Sequence, residues 1–173
     1  MKKEITKKNK EGFTLVETLI YVVIFSIFIV VAVSYESNMT ATRLHNQTAL
    51  EVNDQGAKVM KTITQAIRNA NQVNSPTISN VTSSLSLATG TPSTSPTVFS
   101  ESVGIIYVTE GSGSPVALTN NKVIISNLLF SNFSRVSTPG IIKVSFTLSS
   151  VATSTSPGGA YSFTFNGSGA LRR

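Results

Sequence analysis

Residues 12–33 read GFTLVETLIYVVIFSIFIVVAV, and this stretch decides what the rest of the chain can be. Glu17 is its only charged residue, and from Leu19 to Val33 only Ser26 is polar in a strict sense. About twenty residues of helix span roughly 30 Å, the thickness of the hydrocarbon core of a bilayer. The stretch therefore predicts a membrane-spanning helix. A charge costs about 2.5–3.5 kcal/mol at the centre of such a helix, so Glu17 is a candidate functional residue that needs a partner.

The residues before this stretch form a lysine-rich leader. Its basic residues are Lys2, Lys3, Lys7, Lys8 and Lys10. A leader of this kind, followed by Gly12, Phe13, Thr14-Leu15-Val16, Glu17 and an apolar helix, resembles the N-terminal signal of type IV prepilins and pseudopilins. The resemblance covers about residues 1–35 closely and extends weakly over the helix that follows.

This resemblance implies a processing and assembly mechanism. A membrane-embedded prepilin peptidase and N-methyltransferase would cut between Gly12 and Phe13 on the cytoplasmic face and methylate the new Phe13 amine. Glu17 would then pair with the Phe13 ammonium group of a neighbouring subunit. The implied partners are this enzyme, other pilin subunits, an inner-membrane assembly platform and, before assembly, membrane lipid. Many major pilins have a proline midway along the buried helix. Here Ser34 occupies that region, which favours a minor pilin or a pseudopilin.

The distribution of charge predicts the orientation of the chain in the membrane. Half of the formal net charge of +6 lies in residues 1–12, and such a positive end stays in the cytoplasm. We expect a single-pass protein of the cytoplasmic membrane, with the C-terminal part outside and a cell-surface or periplasmic filament after assembly. Two other interpretations remain. Ala32-Val33-Ser34 resembles a secretory signal-peptidase site, with a mature start at Tyr35, and an uncut anchor would keep Met1. Neither gives Glu17 a role.

The sequence after the membrane stretch predicts that the helix continues. There is no proline from Met39 to Val73, and Asn74-Ser75-Pro76 would end the run. Gly56 is its weak point, because glycine costs about 1 kcal/mol relative to alanine in a helix. Apolar residues recur at helical spacing on one face. They are Leu44, Val52, Val59, Ile63, Ile67 and Ala70.

Beyond Pro76 short β-type runs alternate with turn signals. The predicted strands are Val81–Ala88, Val103–Thr109, Val116–Leu118, Lys122–Ser126, Leu128–Phe133, Ile141–Leu148 and Tyr161–Phe165. Thr89–Thr97 and Ser149–Gly159 are rich in Gly, Pro, Ser and Thr and are expected to be exposed loops. Residues 166–173 are expected to be a tail.

These patterns together predict an α+β fold. A long N-terminal α-helix, membrane-spanning in its first half, would pack in its second half against one C-terminal antiparallel β-sheet, which is the lollipop layout of pilins. The predicted segments are a cytoplasmic leader (1–12), a transmembrane or filament-core helix (13–35), an amphipathic continuation (36–75) and an extracytoplasmic β-rich domain (76–173).

Little in the sequence indicates catalysis, so we expect no enzyme activity, no cofactor and no metal. There is no cysteine, and the only histidine, His45, is expected to be a solvated or packed residue. The expected function is that of a structural filament subunit. A pseudopilin of a type II secretion system and a membrane-anchored or secreted ligand-binding module remain as alternatives. A nucleic acid is a secondary candidate partner. The basic patch of the protein that would bind it consists of Arg135, Lys143, Arg172 and Arg173.

Overall fold

The computed structural model describes residues 12, 14–136, 138, 140–152 and 159–172. The chain divides into two compact units, Met1–Thr40 and Ala41–Arg173. One helix, α1, runs from Leu15 to Asn69 and belongs to both. Its continuity agrees with the absence of proline between these residues, since a proline in a helix interior removes a backbone hydrogen bond and clashes with the preceding turn.

Helix α1 ends four residues before the predicted end at Val73. Strand β1 (Ala70–Ser75) follows at once and pairs with strand β3 (Leu85–Thr89). The apolar spacing could not show this change, because Ala70 is buried and Val73 half-buried as parts of a strand. Pairing of the backbone with β3 therefore prevailed over helical periodicity in this segment.

The β part of the described chain consists of nine strands, all paired antiparallel. The remaining strands are β2 (Val81–Thr82), β4 (Thr97–Ser102), β5 (Ile105–Glu110), β6 (Val116–Ala117), β7 (Val123–Asn132), β8 (Ile141–Ser150) and β9 (Ser162–Ala170). They form a five-stranded sheet in the order β1-β3-β4-β5-β6 and a four-stranded sheet in the order β2-β7-β8-β9. The α+β class and the antiparallel pairing are confirmed, whereas the single predicted sheet is in fact two.

The predicted strand Val81–Ala88 is divided between β2 in the four-stranded sheet and β3 in the five-stranded sheet. The predicted loop Ser149–Gly159 begins with two residues that belong to β8. Three further local predictions differ from the structure. Strand β4 begins at Thr97, so the end of the predicted loop Thr89–Thr97 is buried and paired. The two predicted strands on either side of Asn127 are one strand, β7, with a register shift at Asn127, whose φ is 54°. The predicted tail beginning at Asn166 is instead the second half of β9. In each case pairing with a neighbouring strand supplied order that local composition did not indicate.

One hydrophobic core joins the second half of α1 to both sheets. The predicted helix stripe is confirmed at Val52, Val59, Ile63 and Ile67, which are fully buried, while Leu44 is only half-buried. The sheets contribute Leu85, Leu87, Phe99, Ile106, Val123, Ile125, Phe130, Ile142, Val144, Phe146 and Leu148. Burial of a large apolar side chain stabilises a fold by about 1.5–3 kcal/mol, so this core supplies stability that a cysteine-free chain cannot obtain from disulfides.

Strand β9 lies directly against α1, and glycines make the close approach possible. Helix residue Gly56 faces the ring of Phe165, and strand residues Gly167 and Gly169 face Met60 and Ile67. A Cβ atom at any of these glycines would overlap the opposing side chain. Small and large residues thus alternate between helix and strand, which fixes how the two elements align.

The contact at Gly56 gives a stability prediction with two opposing effects. Gly56→Ala should gain about 1 kcal/mol of helix propensity. The new methyl group would overlap the Phe165 ring, which stacks on Phe146 at a centroid distance of 5.3 Å and would have to give up this contact to move away. Overpacking of this kind costs about 1–3 kcal/mol. We therefore expect a net loss in the free energy of unfolding, measured by denaturation in detergent micelles.

A double-mutant cycle provides the control. Phe165→Leu removes the atoms that the methyl group would meet. The double variant Gly56→Ala/Phe165→Leu should therefore lose less free energy of unfolding than the sum of the losses of the two single variants. Strict additivity of the two losses would contradict the packing that we describe.

Candidate assembly site

Helix α1 begins at a cap formed by Thr14. The Glu17 backbone N–H donates a hydrogen bond to Thr14 Oγ1 at 3.3 Å and lies 3.1 Å from the Thr14 carbonyl oxygen, which also accepts a bond from the Thr18 N–H at 3.2 Å. The N–H groups of a first helical turn have no partner within the helix, and a threonine side chain commonly supplies one. The spacing of Thr14 and Glu17 is that of a capping box. These two motif residues therefore order the start of the helix.

The Glu17 carboxylate lies in this first turn and is half-buried. The Tyr21 hydroxyl, one turn later, donates a long hydrogen bond of 3.5 Å to Glu17 Oε1. A negative charge near a helix N-terminus gains about 0.3–1 kcal/mol from the helix dipole. A cationic partner would add to the stabilisation that the helix dipole provides.

The predicted processing site is described on one side only. Gly12 is exposed, and no atom outside its immediate neighbours lies within 4 Å of the position that a Cβ would take. Phe13 and the leader residues 1–11 lie outside the described residues. Cleavage after Gly12, methylation of Phe13 and the pairing of Glu17 therefore stay predictions.

The first half of α1 presents a continuous apolar surface. Every large apolar residue from Leu15 to Val33 is between 47% and 81% exposed. The serine side chains in and next to this segment donate hydrogen bonds to carbonyl oxygens of the helix itself. Ser26 Oγ donates to the Val23 carbonyl oxygen at 2.8 Å, and Ser34 Oγ donates to the Val30 carbonyl oxygen at 2.9 Å. Over the described part of the chain, α1 is the one helix long and apolar enough to cross a membrane.

The structure gives the other candidate residues ordinary surroundings. The His45 ring lies edge-on to Tyr161, with 6.1 Å between the centroids. No group of three or more His, Cys, Asp or Glu side chains within the described ranges could hold a metal ion. Of the predicted basic patch, Arg135 and Arg172 line one cavity of about 540 Å³, while Lys143 is exposed on β8 and is not part of its lining. Arg173 lies outside the described residues.

Comparison with known proteins matches the start of the chain. Residues 7–33 match the family described as the prokaryotic N-terminal methylation motif. This match confirms the resemblance to the prepilin-type signal over that segment. The motif supports a type IV pilin-like or pseudopilin-like protein, implies processing by prepilin peptidase and assembly with other pilins, and with the exposed apolar helix suggests membrane anchoring. No curated protein and no solved structure gives a significant match.

Sequence analysis missed a polar cluster that ties α1 to the turn before β7. Asn120 Nδ2 donates to Glu51 Oε1 at 2.7 Å, and Lys122 Nζ lies 3.7 Å from Glu51 Oε2. Gln55 Nε2 also donates to Glu51 Oε1, at 3.2 Å. No local sequence pattern could connect Asn120 to a helix residue 69 positions earlier.

The cluster makes Glu51 a more acidic group than an ordinary glutamate. The hydrogen bond from Asn120 lowers the pKa of Glu51 most, partial burial opposes this, and the Lys122 charge and the Gln55 hydrogen bond lower it further. A carboxylate with a pKa lower in the folded state than in the unfolded state adds stability above its unfolded pKa. That stability is lost as the pH falls through the folded pKa.

We therefore expect an acid-dependent loss of stability that requires Glu51. The free energy of unfolding should fall as the pH drops below the ordinary glutamate pKa of about 4.3. Glu51→Gln and Asn120→Ala should both flatten this dependence. The measurement is thermal unfolding from pH 3 to pH 7, followed by near-ultraviolet circular dichroism. Asp54→Asn, which removes an exposed carboxylate of the same helix, is the matched control and should keep the wild-type curve. A Glu51→Gln curve identical to the wild type would refute the role of the cluster.

Proposed function

We propose that this chain is a structural, non-enzymatic subunit of a type IV pilus-like filament, and more specifically a minor subunit. The observation that carries the proposal is the arrangement of residues 12–33. A prepilin-type motif leads into an exposed apolar helix whose one carboxylate, Glu17, lies in the first turn. A soluble protein would have to cover this surface, whereas a membrane or the core of a helical filament accommodates it.

Processing would prepare the helix for assembly. Hydrolysis of the Gly12–Phe13 amide bond adds one water and leaves a carboxylate on Gly12 and a free amine on Phe13. An electrophilic methyl donor would then transfer a methyl group to that nitrogen, which loses one proton and remains basic. The mature chain starts with a cation four residues before Glu17. The lysine-rich leader keeps this end in the cytoplasm until the cut.

Assembly would depend on Glu17 finding the Phe13 ammonium group of a neighbouring subunit. Two opposite charges 4 Å apart attract each other by about 4 kcal/mol at an effective dielectric constant of 20. Lipid chains are as apolar as the helix surface, so moving the helix from lipid to a filament core yields little hydrophobic free energy. A charge pair of this size would therefore favour one register between subunits over others.

A pseudopilin of a type II secretion system is the second candidate function, because the same motif serves both machines. Helix α1 contains no proline, which separates it from the pattern of many major pilins and suits a minor pilin or a pseudopilin. Surface filaments on the producing cells that contain this chain would favour the pilus, and a short periplasmic assembly needed for protein secretion would favour the pseudopilin.

The mature N-terminus tests the processing step. We expect mass spectrometry of protein extracted from its native membrane to identify N-methyl-Phe13. A start at Tyr35 would indicate an ordinary secreted protein, and an intact Met1 would indicate an uncut anchor. Either result would remove the basis of the filament proposal.

Substitutions of Glu17 test the assembly step. Glu17→Val should leave membrane insertion intact and impair incorporation into filaments, measured by the fraction of the chain in sheared filaments. Valine also removes the acceptor of the Tyr21 hydroxyl, so Glu17→Gln is the sharper variant, because glutamine keeps the size of the side chain and a carbonyl oxygen that can accept this bond, and loses only the charge. We expect Glu17→Gln to be impaired as well. Normal incorporation of Glu17→Gln would exclude the charge pair.

A further inference from the structure

The four-stranded sheet ends in an edge strand with unusual properties. Within the described residues, β9 pairs only with β8, over nine residues and without a register shift. Its sequence SFTFNGSGA contains no charge and no proline. Natural proteins usually protect an exposed edge with charges, proline, bulges or short strands, because unpaired backbone groups attract other strands.

The other three sheet edges show such protection. Strands β2 and β6 are two residues long, and β1 has two register shifts and is followed by Pro76. Of the edges in the described chain, β9 is the one that is long, regular and unprotected.

Two backbone hydrogen bonds at the ends of the β8–β9 ladder show which backbone groups of β9 point away from β8. The Ser150 N–H donates to the Tyr161 carbonyl oxygen, and the Leu171 N–H donates to the Gly140 carbonyl oxygen. Both pairs of residues continue the register of the β8–β9 ladder. Antiparallel pairs alternate between bonded and non-bonded positions. The odd-numbered residues of β9 therefore bond to β8. The even-numbered residues point their N–H and C=O groups outward, and they are Ser162, Thr164, Asn166, Ser168 and Ala170.

A groove of about 700 Å³ lies between β9 and α1. Met60 and Phe165 contribute apolar surface to it, and Lys61, Arg68 and Arg172 contribute exposed positive charges. None of the residues that line it is acidic. No ion pair to these three cations is found among the described residues. The groove thus combines apolar contact with an uncompensated positive rim.

We propose that this groove and the free edge of β9 bind an extended, acidic segment of another polypeptide, which adds to the sheet as a fifth strand. Outward N–H and C=O groups alternating along about 30 Å of strand match the backbone of an extended peptide. Acidic side chains of that segment would meet Lys61, Arg68 and Arg172. A nucleic acid could meet the cations, but its phosphates would leave the outward carbonyl groups without donors. The inference does not rest on the filament proposal, because it needs neither processing nor assembly.

Peptide binding to the full-length protein in detergent micelles tests this proposal. The probe is a fluorescent peptide as long as β9, with Glu alternating with Val and Thr, followed by fluorescence anisotropy. We expect it to bind, and a version with Lys in place of Glu to bind more weakly by about tenfold or more. Two further versions carry N-methyl groups on one or the other alternate set of amides. Strand addition uses only one set, so one version should lose binding and the other should keep it.

Variants of the protein locate the site. Lys61→Glu and Arg68→Glu should each weaken binding, whereas Lys58→Glu, an exposed lysine outside the groove lining, should not. Asn166→Pro removes an outward N–H from an edge strand, where proline is tolerated, and should weaken binding, with Asn166→Ala as its control.

Equal binding of both N-methylated peptides would overturn strand addition. The proposal would be overturned if a single-stranded oligonucleotide displaced the labelled peptide more effectively than the unlabelled peptide does. Self-association of the protein through β9 would also overturn it. Either result would assign the surface to a different occupant.

Discussion

The second half of the helix depends on keeping one apolar stripe out of water. Val52, Val59, Ile63 and Ile67 lie on one face, and both sheets converge on it to form a single core. Burial of such side chains is the largest favourable contribution to folding, and both sheets bury apolar side chains against this stripe. The position of each strand, including the glycines of β9 that allow it to approach the helix, follows from this requirement.

The first half of the same helix differs from the second, because its apolar surface is exposed. No described residue covers its apolar side chains, so its stability depends on a surrounding of lipid or of other helices. These two surroundings are nearly equivalent in hydrophobic terms, which leaves packing and polar interactions to distinguish them. Glu17 is the only charged residue among residues 12–33, so it is the one side chain there that can form an ion pair. This is why the function that we propose depends on Glu17 more than on any residue of the β-rich part.

The prediction from sequence succeeded where the pattern was local and failed where it was not. The membrane stretch, the buried face of the helix and most strands could be predicted, because each shows its pattern of apolar and polar residues within a segment of about twenty residues. The exchange of helix for strand at Ala70 depended on pairing with β3, and the order of residues 166–170 depended on pairing with β8. The contact of Glu51 with Asn120 likewise joins distant segments. Such pairings are set by tertiary contacts, which a single sequence does not display.

The distance along the chain between β9 and the helix residues that it covers has a consequence for how the domain forms. The strand that lies over Gly56 is made of residues about 110 positions later, so the helix is synthesised long before this cover exists. Contacts between such distant segments form slowly, because a long loop must close first. Until β9 is made, the part of the stripe that it covers remains exposed. During this interval its apolar residues are open to contact with other chains, which makes the incomplete domain more prone to aggregation than the finished one.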